Sequence, residues 1–370
     1  MNKISIILLF TAIFLLSCMT NGNDDTGTVP LIYCTDLYHP HQDPDDHFDL
    51  AAIYAMREFK VEAIILDDGD RQEQTPGAIP IDQLNRLTGR NVPYAIGLAE
   101  KLKSPGDTAA GEPEKYQGGV NMILEILEKA EKPVTVITVG SVRDVAAAYN
   151  RNPELLKNKI DKIMIFIGEA KAGFNEYNVR LDENAFVRIM NSGLPVYWVP
   201  CFDKGAEKGE RYASYWTATH EELLRSASDP VINFFTYALL HKDEENYTGC
   251  LYNEVDPGEK EQIMAQERNL WCTAVFTYAA GRKFVLRNEE WIAVPENGIR
   301  AGDIVDQIFT FSPVLIFAQD KGEVLYEETG RSHVINRFRV LRRDIYYQSM
   351  TSVTRNLIGE LSDKIASKQN

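Results

Sequence analysis

The chain has 370 residues, 44% of them hydrophobic, enough to bury the core of one large α/β domain or of one domain with an appendage. A formal net charge of -15 argues against a nucleic-acid backbone or an anionic membrane surface as partner. The five cysteines show no paired spacing, which argues against a disulfide framework or a thiolate metal site.

Residues 1–18 form a segment of their own. Lys3 is followed by an apolar run from Ile6 through Leu16, the pattern of a signal peptide rather than a spanning helix. Leu15 to Cys18 resembles a bacterial lipobox, in which the cysteine is acylated and becomes the mature N-terminus; an ordinary secretory signal with a chance cysteine is the plainer alternative. Residues 19–28 then read as a flexible tether and 29–370 as a single domain. Met19 after the cysteine points to delivery to the outer membrane, and so to a lipid-anchored protein of the cell envelope.

The apolar run Leu31 to Cys34 ends at Asp36, a Pro-containing loop follows, and a helical pattern (Phe48, Ala51, Ala52, Met56, Phe59) begins at Asp45 and Asp46. Asp in the first turn of a helix is commonly a cap. Capping needs one or two acids, however, and this loop gathers Asp36, Asp43, Asp45, Asp46 and Asp49. Two carboxylates ~5 Å apart repel by about 3 kcal/mol at an effective dielectric of ~20. A bound cation is therefore expected, and oxygen donors suit Ca²⁺ or Mg²⁺ better than Zn²⁺.

A second strand, Val61 to Leu66, ends in Asp67, Asp68 and Asp70, which reads equally as a cation site or a solvated turn. A helix around Ile81 to Leu87, an amphipathic helix from Gly118 and a strand from Val134 follow, with Asp144 placed to cap the next helix. Ile163 to Phe166 and Leu194 to Val199 are further buried strands. The alternation predicts an α/β fold with an open, mainly parallel β-sheet and helices on both faces. Beyond Cys201 the pattern loosens into a charged loop (Lys204 to Arg211), an aromatic helix from Pro230 to Leu240, and a surface insertion from His241 to Pro257. Ala293 and Val314 to Phe317 look strand-like, Asn336 to Arg343 reads as a basic helix, and a Lys-containing helix closes the chain. No repeat, P-loop or GxGxxG is present.

The loop from Asp36 to Asp46 resembles the N-terminal signature of the inosine-uridine-preferring nucleoside hydrolase family, Asp-x-Asp-Pro-Gly-x-Asp-Asp. Asp36 matches the second Asp and Asp45-Asp46 the closing pair, with the loop lengthened between them. Val92 to Gly97 resembles the family's third strand, and Asp70 is a shifted counterpart of a family Asn. Gly140 to Ala146 resembles Gly-Pro-Leu-Thr-Asn-Leu-Ala, in which the Thr gives a carbonyl to calcium; Arg143 fills that slot. Glu176-Tyr177-Asn178 resembles the Glu-Phe-Asn motif that holds ribose hydroxyls, and a family Asn upstream of it falls at Ala170 or has moved to Asn175. The family's His-Asp segment is replaced by Arg268 and Asn269 in one register, whereas shifted registers put Trp271 or Cys272 on the Asp.

The resemblance implies a Ca²⁺-dependent hydrolase of ribonucleosides or related ribosides, small molecules that carry no phosphate. Asp36, Asp46, the Arg143 carbonyl and Asn269 would hold the ion, and Asp36 would be the general base. Asp45, Asp70, Asn175, Glu176 and Asn178 would hold the sugar, and Tyr177 or Trp271 would stack on the base. Arg268 cannot serve as a leaving-group acid, because a guanidinium does not give up its proton. The alternative is a non-catalytic surface lipoprotein that retains a sugar- or cation-binding crevice. A metal phosphohydrolase built on Asp36 would need an Asp where Leu37-Tyr38 stand. A homo-oligomer is compatible with either leading alternative.

Overall fold

The computed structural model describes residues 29–171, 176–203, 211–326 and 332–369. The leader with Cys18, the tether and Asn175 lie outside the described residues. So does most of the charged loop beginning at Lys204.

The strands are β1 (Val29–Thr35), β2 (Phe59–Leu66), β3 (Tyr94–Ile96), β4 (Val134–Thr138), β5 (Ile160–Phe166), β6 (Val196–Val199) and β7 (Trp216–Thr219). They continue as β8 (Glu267–Leu270), β9 (Lys283–Arg287), β10 (Glu290–Val294), β11 (Ile304–Val305), β12 (Phe309–Ala318), β13 (Val324–Leu325) and β14 (His333–Val340). The main sheet has nine strands in the order β13-β12-β14-β6-β5-β4-β1-β2-β3. From β3 to β14 every pairing is parallel, and β12 and β13 extend that edge antiparallel. Strands such as β1 and β4 are apolar without alternation because helices cover both faces of the sheet.

One face packs against the helices Asp45–Ala55, Ala78–Thr88, Asp229–Leu239 and Tyr346–Gln369. The other packs against Gly118–Lys129, Arg143–Arg151 and Glu183–Met190. Smaller antiparallel units, β10-β9-β11 and β7-β8, lie beside the main sheet. Among the described residues no helix is long and apolar enough to cross a membrane.

The basic helix expected from Asn336 is instead β14, paired antiparallel with β12 and parallel with β6. Phe338 and Val340 point inward while Arg337 and Arg339 stay partly open, an alternation of period two that the run of arginines obscures. Asp144 does not cap its helix; the cap position is Val142, and the buried Asp144 carboxylate accepts from the Leu98 N–H at 3.2 Å.

The order β3-β2-β1-β4-β5-β6 reverses direction between β1 and β4. The chain leaving β1 crosses to β2 on one side, whereas β4 leads on to β5 on the other. At such a switch point the loops diverge and open a crevice beyond the carboxyl ends of the strands.

Candidate active site

Asp36, one residue past β1, stands at this switch point. Gly140, just past β4, lies against it, and a Cβ on Gly140 would fall 2.8 Å from Asp36 Oδ1. Asp67, one residue past β2, is buried; its Oδ2 accepts from the Ser141 N–H at 2.8 Å and its Oδ1 from the Asp68 N–H at 3.0 Å. Asp67 thus ties the tips of β2 and β4 through an acid-to-amide bond, while Asp36 of β1 lies against Gly140.

The helix Asp45–Ala55 adds the rest of the acids. Asp45 and Asp46 lie in its first turn, and Pro44 holds the cap position without a side-chain bond. They are therefore not caps, which frees their carboxylates to face the strand tips. Thr35 Oγ1 donates to Asp46 Oδ1 at 2.8 Å. One turn on, the buried Asp49 accepts a short hydrogen bond from Thr273 Oγ1.

The electrostatics reflect this crowding. Burial, and then the neighbouring Asp67, push the Asp36 carboxyl up to about 8. Burial and then Asp36 raise Asp46 well above the carboxylate range, and burial and then Asp43 do the same for Asp45. Burial lifts Asp49 to about 7 despite the bonds it accepts from Thr273 and Cys272. Asp36, Asp45 and Asp46 nevertheless keep part of their surface open to solvent, so an ion or ligand can reach them. As they stand, the described residues contain no group of three His, Cys, Asp or Glu side chains arranged to hold a metal. The cluster still fits a hard divalent cation: several carboxylates that repel one another in one recess are relieved by a positive charge placed among them.

The Glu176 to Asn178 segment comes to the same recess, and Glu176 is close enough to Asp36 to raise its carboxyl further. Glu176 caps the helix Tyr177–Leu181: Oε2 accepts from Gly168 N–H at 2.7 Å and Val179 N–H at 3.3 Å, and Oε1 from Asn178 N–H at 2.9 Å. Asn178 spends both amide hydrogens on strand ends, donating to the Val139 carbonyl at 2.9 Å and the Phe166 carbonyl at 3.0 Å. Its Oδ1 is the atom left to offer a ligand. Tyr177 is exposed, and its hydroxyl donates to Gln42 of the lengthened loop at 3.3 Å.

Other expected residues are placed differently. Asn269 lies on β8 with its side chain exposed, accepting from the Tyr215 hydroxyl at 2.9 Å, and does not join the acids. Cys272 does: it is buried, and burial followed by Asp49, Cys201, Asp45 and Asp46 holds its thiol well above the usual range. Of the residues that the alternative registers name, Cys272 and not Asn269 stands beside the acids. Trp271 packs edge-on to Tyr215 and Phe202, at ring separations of 5.6 and 6.0 Å.

Asp70 is exposed and lines a 470 Å³ groove with Asp68, Arg71, Lys101 and Arg180; the acid that β2 delivers inward is Asp67. Arg143 opens its helix, directly after the cap position Val142. Its side chain carries a role that the sequence hid. The buried guanidinium donates to Asp182 and Asp68, each at 3.2 Å, and to the carbonyls of Leu98, Ala99 and Leu181 at 3.0, 2.9 and 2.9 Å. It binds the loop after β3 to the segment that carries Glu176 and Asn178. Arg268, expected on the family's His, pairs with Asp43 at 2.9 Å.

Residues 41–254 match the family model for inosine-uridine preferring nucleoside hydrolases. The chain belongs to that family. This nucleoside hydrolase family member is 27% identical over 172 residues to the pyrimidine-specific ribonucleoside hydrolase RihA of Escherichia coli O1:K1, a match covering 41% of this chain and 55% of that protein. To RihA of Salmonella paratyphi B it is 28% identical over 188 residues, covering 45% of this chain and 58% of the relative. The chain thus spans little more than half the length of these curated relatives. The fold of the family member matches that of the inosine-uridine preferring nucleoside hydrolase of Bacillus anthracis, with a TM-score of 0.52 at 12% identity over 90% of this chain and 99% of that one. A plant nucleoside hydrolase, PpNRh1, aligns with a TM-score of 0.51 at 13% identity over 91% of this chain and 99% of its own.

Proposed function

We propose that this chain hydrolyses the N-glycosidic bond of ribonucleosides or related ribosides, with a divalent cation of the calcium class at the acid cluster. The observation that carries this reading is the convergence of Asp36, Asp45 and Asp46 at the β1/β4 switch point beside Glu176 and Asn178. Asp36 and Asp46 would hold the ion with Asp45 beside them, and Cys272 stands where a further carboxylate is expected. The ion, when bound, would lower the pKa of a water molecule and clamp sugar hydroxyls.

Asp36, recessed at the end of β1, would stand beside the ion and take a proton from the attacking water. Asp45 and the Asn178 Oδ1 would accept hydrogen bonds from sugar hydroxyls. Positive charge developing on the sugar ring would be stabilised by the surrounding carboxylates. For the departing base, Tyr177 supplies an exposed ring and Trp271 an indole N–H that has no partner among the described residues. Arg268 stays bound to Asp43 and keeps its proton, so the base would leave by protonation from water or with negative charge held near these groups. Acylation at Cys18, anchoring in the cell envelope and self-association belong to the same proposal and rest on the leader pattern and on the family.

One observation favours the second reading, a binding protein without turnover. Both Glu176 oxygens are taken by backbone amides, and Asn178 has no amide hydrogen to spare. The test is incubation with a panel of nucleosides and aryl ribosides, with and without EDTA. Release of base or aglycone that EDTA abolishes supports the hydrolase; tight cation binding with no turnover on any substrate supports the binding protein.

A further inference from the structure

The chain has six histidines, and His39, His41, His47 and His241 gather around the lengthened loop between Asp36 and Asp45. His41 and His241, 200 positions apart in sequence, bring their Nε2 atoms to 3.0 Å, with rings at 81° and centroids 4.2 Å apart. His47 lies on the inner side of this pair, its ring centre 5.9 Å from that of His41. It is fully buried, and neither of its ring nitrogens has a hydrogen-bond partner among the described residues. A buried imidazole with both nitrogens unsatisfied is unusual and points to a missing partner.

We propose that His41 and His241, with His47 as third imidazole, form a binding site for a divalent transition cation of the zinc class, separate from the acid cluster. Nitrogen donors of this kind suit Zn²⁺, Cu²⁺ or Ni²⁺ rather than Ca²⁺. With metal–nitrogen bonds of about 2.0–2.1 Å, two tetrahedral ligands stand about 3.3 Å apart, close to the separation seen here. One hydrogen bond between His41 and His241 would also explain their contact, but it leaves His47 unexplained. Recruiting His47 requires its ring to turn from its present position. Access is open from outside, because His241 is exposed and His41 only partly covered.

The backbone supports this reading. His241 has φ +52°, a left-handed conformation that a non-glycine residue adopts at a cost and that occurs often at functional positions. This turn, just past the helix Asp229–Leu239, brings the imidazole over the loop. The nearby histidines are committed elsewhere: His39 Nε2 meets the Lys242 carbonyl at 2.7 Å with its ring on Tyr237, and His220 Nδ1 meets the Ile263 carbonyl at 3.0 Å. The adjacent cations are neutralised, Arg268 by Asp43 at 2.9 Å and Lys242 by Glu259 at 2.7 Å. An ion here would pin the loop to the turn at His241. It would thereby fix Gln42, which meets Tyr177 across the mouth of the crevice.

The inference does not depend on the proposed hydrolysis, and its test uses none. The full chain is titrated with Zn²⁺ by equilibrium dialysis and with Co²⁺ by visible absorption, for wild type, His41→Ala, His241→Gly and Asp46→Asn. Glycine at 241 suits the left-handed backbone, so that variant is expected to fold. The expected result is zinc binding that weakens by about tenfold or more in His41→Ala and His241→Gly, stays unchanged in Asp46→Asn, and is not displaced by excess Ca²⁺. Zinc should also slow proteolysis near Pro40 in wild type and in Asp46→Asn, and not in His41→Ala or His241→Gly. Undiminished zinc binding in both histidine variants, loss confined to Asp46→Asn, or no zinc binding by the wild type would each overturn the proposal. Circular dichroism of the metal-free variants separates loss of a ligand from loss of fold, and His41→Gln repeats the test if His41→Ala does not fold.

Discussion

Thr35, the last residue of β1, donates its hydroxyl proton to Asp46 across 2.8 Å. That bond joins the end of the strand to the first turn of the next helix and orients one carboxylate of a mutually repelling group. Thr35→Val keeps the side-chain shape and removes the bond, at a cost of about 1 kcal/mol in stability. Cation affinity should fall with it, measured by calorimetric titration of Ca²⁺ into the metal-free chain. A variant with unaltered affinity would show that Asp46 needs no such orientation.

Asp46→Asn removes one charge from the cluster and should act in opposite directions on stability and binding. The metal-free protein should melt at a higher temperature than wild type, because a repulsion is gone. Divalent cation binding should weaken markedly. Paired melting curves in EDTA and in Ca²⁺ decide the matter; a variant less stable than wild type in EDTA contradicts the repulsion argument.

The metal-free protein should lose stability as pH rises. Asp36 and Asp144, each held up to about 8, and Asp49, up to about 7, prefer their neutral forms when folded. A raised carboxyl means that the native state binds more protons than the unfolded chain, so the favourable contribution is complete below the ordinary carboxylate range near 4. It is then lost as pH climbs through 7 to 8. Thermal melts at successive pH values in EDTA should show this decline, and saturating Ca²⁺ should flatten it by compensating the charges of Asp36 and its neighbours.

Arg143→Met should destabilise by about 3–5 kcal/mol, since it leaves the buried Asp182 carboxylate without its cation and takes a donor from each of the Ala99 and Leu181 carbonyls. Arg143→Lys keeps the charge but cannot reproduce the fan of donors, and should recover only part of the loss. Urea unfolding measures both. Full recovery by lysine would show that charge alone matters there.

Gly140→Ala places a methyl group 2.8 Å from Asp36 Oδ1 and must displace that carboxylate. The fold should survive while cation binding, and any nucleoside turnover, drops. Near-wild-type binding would mean that Asp36 has room to move.

The run of acids at Asp36, Asp45 and Asp46 and the strand–helix alternation were legible because hydrophobic periodicity and clustered charge are local properties. The β14 segment misled because four arginines between Asn336 and Arg343 mask the alternation of Phe338 and Val340. Asp67, Asp68 and Asp70 are the same residue type in one turn, and only the path of the chain turns Asp67 inward and Asp70 out. That Cys272 and not Asn269 lies beside the acids follows from how the chain after β8 packs against Asp49, which spacing in the sequence does not show. The Arg143 fan and the His41–His241 contact join residues far apart in sequence, which no window of residues can reveal.

Asp36 and Asp67 each sit immediately beyond the last residue of a strand, and Gly140 follows β4 closely. The sheet therefore fixes where these groups emerge, while the polypeptide beyond them is free to lengthen or change. The connection from Leu37 to Pro44 is one such stretch, and β1 before it runs parallel to both β2 and β4. A scaffold divided in this way lets selection try new rims over an old floor, so divergence of specificity need not be opposed by loss of folding.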